Sequence, residues 1–360
     1  MAQIDAFFKM MHELGASDLH LSSGSQPIIR LHGEMQRIKY KILEHEELKK
    51  MLYEITPENK AKTFEECGDV DFSYEVPHLA RYRVNYFMQK RGIGAAFREI
   101  PQKILTIEEL GLPGILKNLA LLPKGLVLVT GPTGSGKSTT LAAIVDYVNK
   151  IRKDHILTIE DPIEFVHEPQ NCLINQREVG RDTMTFSAAL RGALREDPDI
   201  ILVGEMRDLE TIQLALEAAE TGHLVFATLH TISASKTIDR IIEVFPGELQ
   251  GQIRSSLADS LRAIIAQNLF KRVDRPGRVA GIEVLIATPA VRNLIRENKI
   301  FQINSVIETG KKFGMQSLDE AILKLLTAGI IDPEQAYNKA ATKSKFREFL
   351  VSPPQDFTEV

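Results

Sequence analysis

At 360 residues, with 44% hydrophobic and 26% charged side chains, the chain has the composition of a soluble globular protein and the length of two domains. A formal charge of −4 gives no electrostatic reason to expect nucleic acid or an anionic membrane as partner. The two cysteines, Cys67 and Cys172, form no C-x-x-C pair, which argues against a zinc knuckle or a disulfide framework and for free cytosolic thiols.

The opening MAQIDAFFKMMHEL carries charge throughout and reads as an amphipathic helix, not a signal peptide. No uncharged apolar run approaches the ~20 residues that a membrane-spanning helix needs, so a cytoplasmic protein without direct membrane insertion is expected. Residues 68–76 alternate with period two, which sets Val70, Phe72, Tyr74 and Val76 on one strand face. Residues 80–88 repeat the pattern, with Tyr82, Val84, Tyr86 and Met88 inward and Arg81 and Arg83 outward. A turn at 89–92 leads into a third strand at 93–100. The expected N-terminal domain, residues 1–98, is therefore an α+β unit with one polar sheet face and helices on the other. Pro101 interrupts regular structure in a linker, 99–111, and residues 112–360 form the second domain.

From about residue 112 the pattern changes to βα alternation. Buried strands are predicted at 126–129, 156–159, 200–203 and 224–229, with a helix at 138–150 and others centred on 190–194 and 212–219. Short apolar strands separated by helices argue for a parallel sheet covered on both faces, an α/β domain. A hairpin over 264–286 turns at 274–277, and a helical tail starts near Thr288.

The run Gly131, Pro132, Thr133, Gly134, Ser135, Gly136, Lys137, Ser138 matches the phosphate-loop pattern in full, with Thr139 following. It lies directly after a strand and opens a helix, as phosphate binding requires. The glycines let backbone N–H groups face the phosphates, and the helix dipole adds attraction. Lys137 supplies a cation for the β- and γ-phosphates, and the Ser138 hydroxyl is a ligand for Mg²⁺, so ATP and Mg²⁺ are the expected cofactors.

Hydrolysis also needs a group that orients or deprotonates water. Ligands of open parallel sheets lie beyond the carboxyl ends of the strands, so acids there outrank acids elsewhere. Glu160, Asp161 and Glu164 follow one such strand, and Glu205 follows another, where Gly204 stands in place of the usual strand-ending aspartate. Glu205 is the first candidate for general base and Glu164 the second. Asp208 precedes a helical pattern and has the type of an N-cap. Arg191 and Arg195, four apart on one helix, suit a surface ion pair as well as a phosphate contact.

Two histidines flank the strand 224–229. At ~3.3 Å per residue, His223 and His230 lie about 20 Å apart and cannot share a metal. The carboxyl end of that strand points toward the phosphates. His230 is therefore expected near the γ-phosphate or Glu205 as a sensor or water-positioning group, and His223 at a subunit or domain contact.

Phosphate loop, acidic box at 160–164, atypical Walker B at 204–208 and histidine box at 221–231, in that order, resemble the secretion-ATPase superfamily of type II secretion and type IV pilus systems. GASDLHL at 15–21 and AVRNLIRE at 290–297 narrow the resemblance to the retraction ATPases of type IV pili. Extension and secretion relatives usually carry an extra N-terminal domain and a tetracysteine insert; with no C-x-x-C, and with the helix before GASDLHL expected to open the first domain, retraction is favoured, and a retraction-accessory paralogue is excluded less firmly. The resemblance implies a homohexameric ring of RecA-like domains, each with a PAS-like N-terminal domain. It also implies nucleotide between the two domains, reached by Arg81, Arg83 and Arg98. The implied partner is the inner-membrane platform protein of the pilus machine, with AVRNLIRE needed for retraction rather than hydrolysis. Two other readings are a RecA-like nucleic-acid translocase, which the negative charge disfavours, and a nucleotide-gated adaptor without turnover, which Glu205 and Glu164 disfavour.

Overall fold

The computed structural model describes residues 2–31, 33–100 and 103–352. Pro101, read above as the break in the linker, lies outside the described residues, as do the last eight residues of the tail. Backbone contacts divide the chain into two compact units, residues 1–103 with 162–166, and residues 104–161 with 167–360.

In the N-terminal unit, β1 (Asp18–Ser22), β2 (Ile28–Leu31), β3 (Glu34–Arg37), β4 (Asp69–Val76), β5 (Ala80–Gln89) and β6 (Gly92–Ile100) form an antiparallel sheet in the order β3-β2-β1-β6-β5-β4. Its apolar face carries Leu19, Val70, Phe72, Tyr82, Val84, Tyr86 and Phe97. Against these pack Phe7, Phe8 and Met11 of α1 (Asp5–Leu14), Leu48, Met51 and Leu52 of α2 (His45–Tyr53), and Phe64 of α3 (Glu58–Cys67). The Phe8 ring stacks on Tyr82 with centroids 4.2 Å apart, so the helix spacing and the strand alternation meet in one core.

The opposite face is polar. Cross-strand register sets Arg83 opposite Arg98, and Arg98 opposite Asp18. Two expectations change here. Met88 is exposed, because it lies at the hairpin end of β5 beyond the side chains that cover Tyr82, Val84 and Tyr86. Arg81 keeps its place on the outward face, yet it is buried there, and its guanidinium donates to Ser73 Oγ at 2.8 Å.

The C-terminal unit is built on β7 (Gly125–Thr130), β8 (His155–Glu160), β9 (Leu173–Glu178), β10 (Ile200–Val203), β11 (Leu224–Leu229), β12 (Leu261–Lys271) and β13 (Arg278–Ile286). Their order is β13-β12-β7-β11-β10-β8-β9, parallel except for the hairpin pair β12–β13. Alternate residues of the central strands enter two cores. Leu126, Leu157, Ile201 and Val225 face one core with α6 (Phe186–Ala193), α7 (Leu209–Thr221), α8 (Ala234–Glu243), α9 (Gly247–Ser260) and α10 (Pro289–Arg296). Val127, Ile156, Ile200 and Phe226 face the other, with α4 (Ile115–Ala120) and α5 (Lys137–Ile151). Burial on both faces explains why these strands read as continuous apolar runs. Ile107 joins the second core, and β6 runs to Ile100, so much of the segment taken as linker is structured. No helix among the described residues is long and apolar enough to cross a membrane.

Candidate functional site

All six residues of β7 are buried, and the chain leaves this strand through the glycine-rich loop into α5. Two of the glycines are dictated by their surroundings. Gly131 has φ 144°, and a Cβ there would lie 2.3 Å from the Gln267 carbonyl oxygen and 2.6 Å from Ser135 Oγ. Gly136 has φ 88°, and its Cβ would lie 2.8 Å from Gln267 Nε2. The loop is thus closed tightly against β12, which fixes the direction of its N–H groups. Ser135 Oγ is buried without a hydrogen-bond partner among the described residues, as expected of a loop shaped around an anionic oxygen.

Gln267 was not singled out from the sequence. Its amide donates to Ser135 O at 2.7 Å and accepts from Thr140 Oγ1 at 2.8 Å, stapling the loop to the first turn of α5. The available signal was one glutamine inside the apolar strand IIAQNLF, since a buried amide must find partners. Replacing Gln267 with Leu leaves two buried polar groups unmet and is expected to cost about 2–4 kcal/mol, read as a lower denaturant midpoint.

The parallel order β7-β11-β10-β8 brings four loops side by side at the carboxyl edge, and the side chains make contact in that order. Lys137 Nζ donates to Gly131 O at 2.9 Å and lies 3.5 Å from His230 Nδ1, just past β11. His230 Nε2 is 3.0 Å from Glu205 Oε1, just past β10. Because an ammonium only donates, Nδ1 is an acceptor toward Lys137 and Nε2 carries the proton donated to Glu205. Arg207 Nε lies 2.6 Å from the same Glu205 oxygen, and Arg207 in turn feels the charge of Asp161 past β8. Burial pushes the Glu205 carboxyl up, but the hydrogen bond and charge of Arg207, with the hydrogen bond from His230, outweigh it and hold it below its ordinary value. Glu205 is therefore ionised at neutral pH and half-enclosed.

Gly204 has a physical reason as well. A Cβ there would lie 3.1 Å from Ile159 O and 3.2 Å from Glu160 Cα, both tight contacts with backbone. The close approach of β10 to β8 disfavours a side chain at this position, and Glu205 is the first acid past the strand.

The remaining candidates separate. Glu160 Oε1 accepts from Thr158 Oγ1 at 2.7 Å and from Gln176 Nε2 at 3.2 Å, which holds it toward β8 and β9. Glu164 lies in the 162–166 segment, which groups with the N-terminal unit, whereas Glu205 belongs to the C-terminal unit. Arg98 Nε is 2.8 Å from Asp18 Oδ1, and Arg83 Nε is 4.0 Å from Asp71 Oδ1, so both have acidic neighbours within their own sheet. Asp208 caps α7, accepting from Thr211 N at 2.9 Å, and Arg191 forms an ion pair with Glu210. His223 Nδ1 meets the Ala218 carbonyl at 2.9 Å, a local tie at the end of α7. In α10, Val291 and Ile295 are buried, while Arg292 binds Ala287 O at 3.0 Å and Arg296 pairs with Asp259.

Residues 4–332 match the family described as type II/IV secretion system protein. The chain belongs to that family. Within the type II/IV secretion system family, it is 59% identical over 332 residues to the type IV pilus retractation ATPase PilT of Pseudomonas aeruginosa, covering 92% of this chain and 96% of the relative. Identity to the type IV pilus ATPase PilU of the same organism is 39% over 345 residues, covering 96% and 90%. A crystal structure of the pilus retraction motor PilT with bound ADP matches with TM-score 0.88 at 44% identity, covering 96% of this chain and 98% of that one. The fold is accordingly a RecA-like P-loop domain with a smaller N-terminal α+β domain.

Proposed function

We infer that this chain is the ATP-hydrolysing motor of type IV pilus retraction. The observation that carries the reading is the contact series Lys137–His230–Glu205 alongside a complete phosphate loop. In it, an ionised carboxylate and an ammonium are joined through one imidazole, the set that phosphoryl transfer to water needs. Glu205 takes the proton of the attacking water. His230 holds that carboxylate in place through Nε2–H. Lys137 and the loop N–H groups bind the phosphate oxygens and stabilise charge as it moves to the leaving group.

Ser138 is the residue that would hold Mg²⁺, which supplies charge neutralisation on the phosphates when bound. Among the described residues no group of three or more His, Cys, Asp or Glu side chains could hold a metal ion; a Mg²⁺ that takes one hydroxyl, phosphates and waters fits that composition. The resemblance to retraction ATPases supports further elements of the proposal: a homohexamer, Arg81, Arg83 and Arg98 as cations for the nucleotide, and α10 as a contact to the inner-membrane platform protein at the cytoplasmic base of the pilus. Relative identity favours retraction over the accessory role, since the PilT relative is closer than the PilU relative.

Purified protein is expected to release phosphate from ATP at steady state, and Arg81→Ala to lower kcat at least about tenfold while the assembled species persists in sizing experiments. An unchanged kcat would remove Arg81 from the site, and absence of turnover in the unmodified protein would remove the enzyme reading itself.

A further inference from the structure

Arg207 is a cation that the hydrolytic scheme above does not use. Its side chain is 73% exposed, yet its Nε lies 2.6 Å from Glu205 Oε1, two residues back along the same loop. The same oxygen is met by His230 Nε2 at 3.0 Å, from the end of the neighbouring strand. Two donors arriving from different elements on one oxygen remove the rotational freedom of a carboxylate, whose terminal torsion is otherwise broad. Both side chains approach the carboxylate through Oε1, and Oε2 is the oxygen assigned to a water. Asp161, just past β8, adds a favourable charge to the surroundings of Arg207.

We propose that Arg207 is a positioning residue for ATP hydrolysis: it locks the Glu205 carboxylate through Oε1 so that Oε2 meets the water. The inference rests on the reading of Glu205 as the base. A guanidinium suits the task because it stays charged and its Nε–H has a fixed direction. Its exposure also means that the side chain contributes little to the fold, so its removal reports on the site and not on stability.

The test is a double-mutant cycle on full-length protein, with ATP as the probe. Arg207→Ala is expected to lower kcat about tenfold, a fraction of the penalty for a misplaced catalytic group, and to leave the KM for ATP within about twofold. In a Glu205→Gln background, the same substitution is expected to change the single-turnover rate by less than about twofold, because the side chain that Arg207 positions can no longer take a proton. An equal loss in both backgrounds, a raised KM with unchanged kcat, or wild-type kinetics for Arg207→Ala would overturn the inference. The reading beneath it fails separately, if Glu205→Gln alone keeps near-normal turnover.

Discussion

Glu205→Gln is expected to bind ATP with little change in affinity and to turn it over at least ~100-fold more slowly, the contribution general-base catalysis usually makes. The substitution preserves size, and Gln can still accept from His230 Nε2 and Arg207 Nε through its carbonyl oxygen. What it removes is the ability to take a proton. The split between intact binding and lost turnover is therefore the diagnostic, since a merely structural defect would weaken both. Equilibrium binding of a fluorescent ATP analogue beside a phosphate-release assay measures the two quantities. Near-normal release would transfer the role to Glu164, which lies in the segment grouped with the N-terminal unit.

Lys137→Ala is expected to act on both quantities. The ammonium now donates to Gly131 O and Pro132 O at 2.9 and 3.3 Å, at the mouth of the loop whose N–H groups meet phosphate. On the proposed function, its loss removes at once the cation for the β/γ oxygens and the partner on His230 Nδ1. A fall in kcat of about 10²–10³-fold is the usual effect of deleting one such electrostatic stabiliser, and ATP affinity falls with it. Circular dichroism and thermal unfolding should match the unmodified protein, because the side chain is only part-buried. A variant that binds ATP as tightly as before would show that the loop N–H groups alone carry the phosphates.

Much of this arrangement was readable in the sequence, for reasons that are local. The strand β11 is six apolar residues with a histidine at each end, and parallel pairing alone decides which end faces the phosphates. The same rule places His230 and Glu205 on one edge. The phosphate loop is legible because phosphate binding constrains consecutive backbone units.

What was not legible depends on partners far apart in the chain. Gln267 reaches back to Ser135 across 132 residues, and no local periodicity encodes that pairing. Arg207 carries no local signal, since its contact with Glu205 is defined only once the loop is folded. Arg81 read as exposed because alternation reports which face a strand residue is on, not whether that face is covered. Met88 failed in the opposite sense, continuing the inward pattern past the point where helices cover the sheet.

The central claim is that hydrolysis at Lys137 and Glu205 drives retraction of the pilus. The most direct measurement is the frequency of pilus retraction in cells lacking their own retraction ATPase, complemented with this chain or with its Lys137→Ala form at equal expression. The account predicts that the unmodified chain restores retraction and that the Lys137→Ala form leaves pili extended and the cells immotile. Restored retraction by Lys137→Ala, or none by a chain that hydrolyses ATP normally, would contradict it.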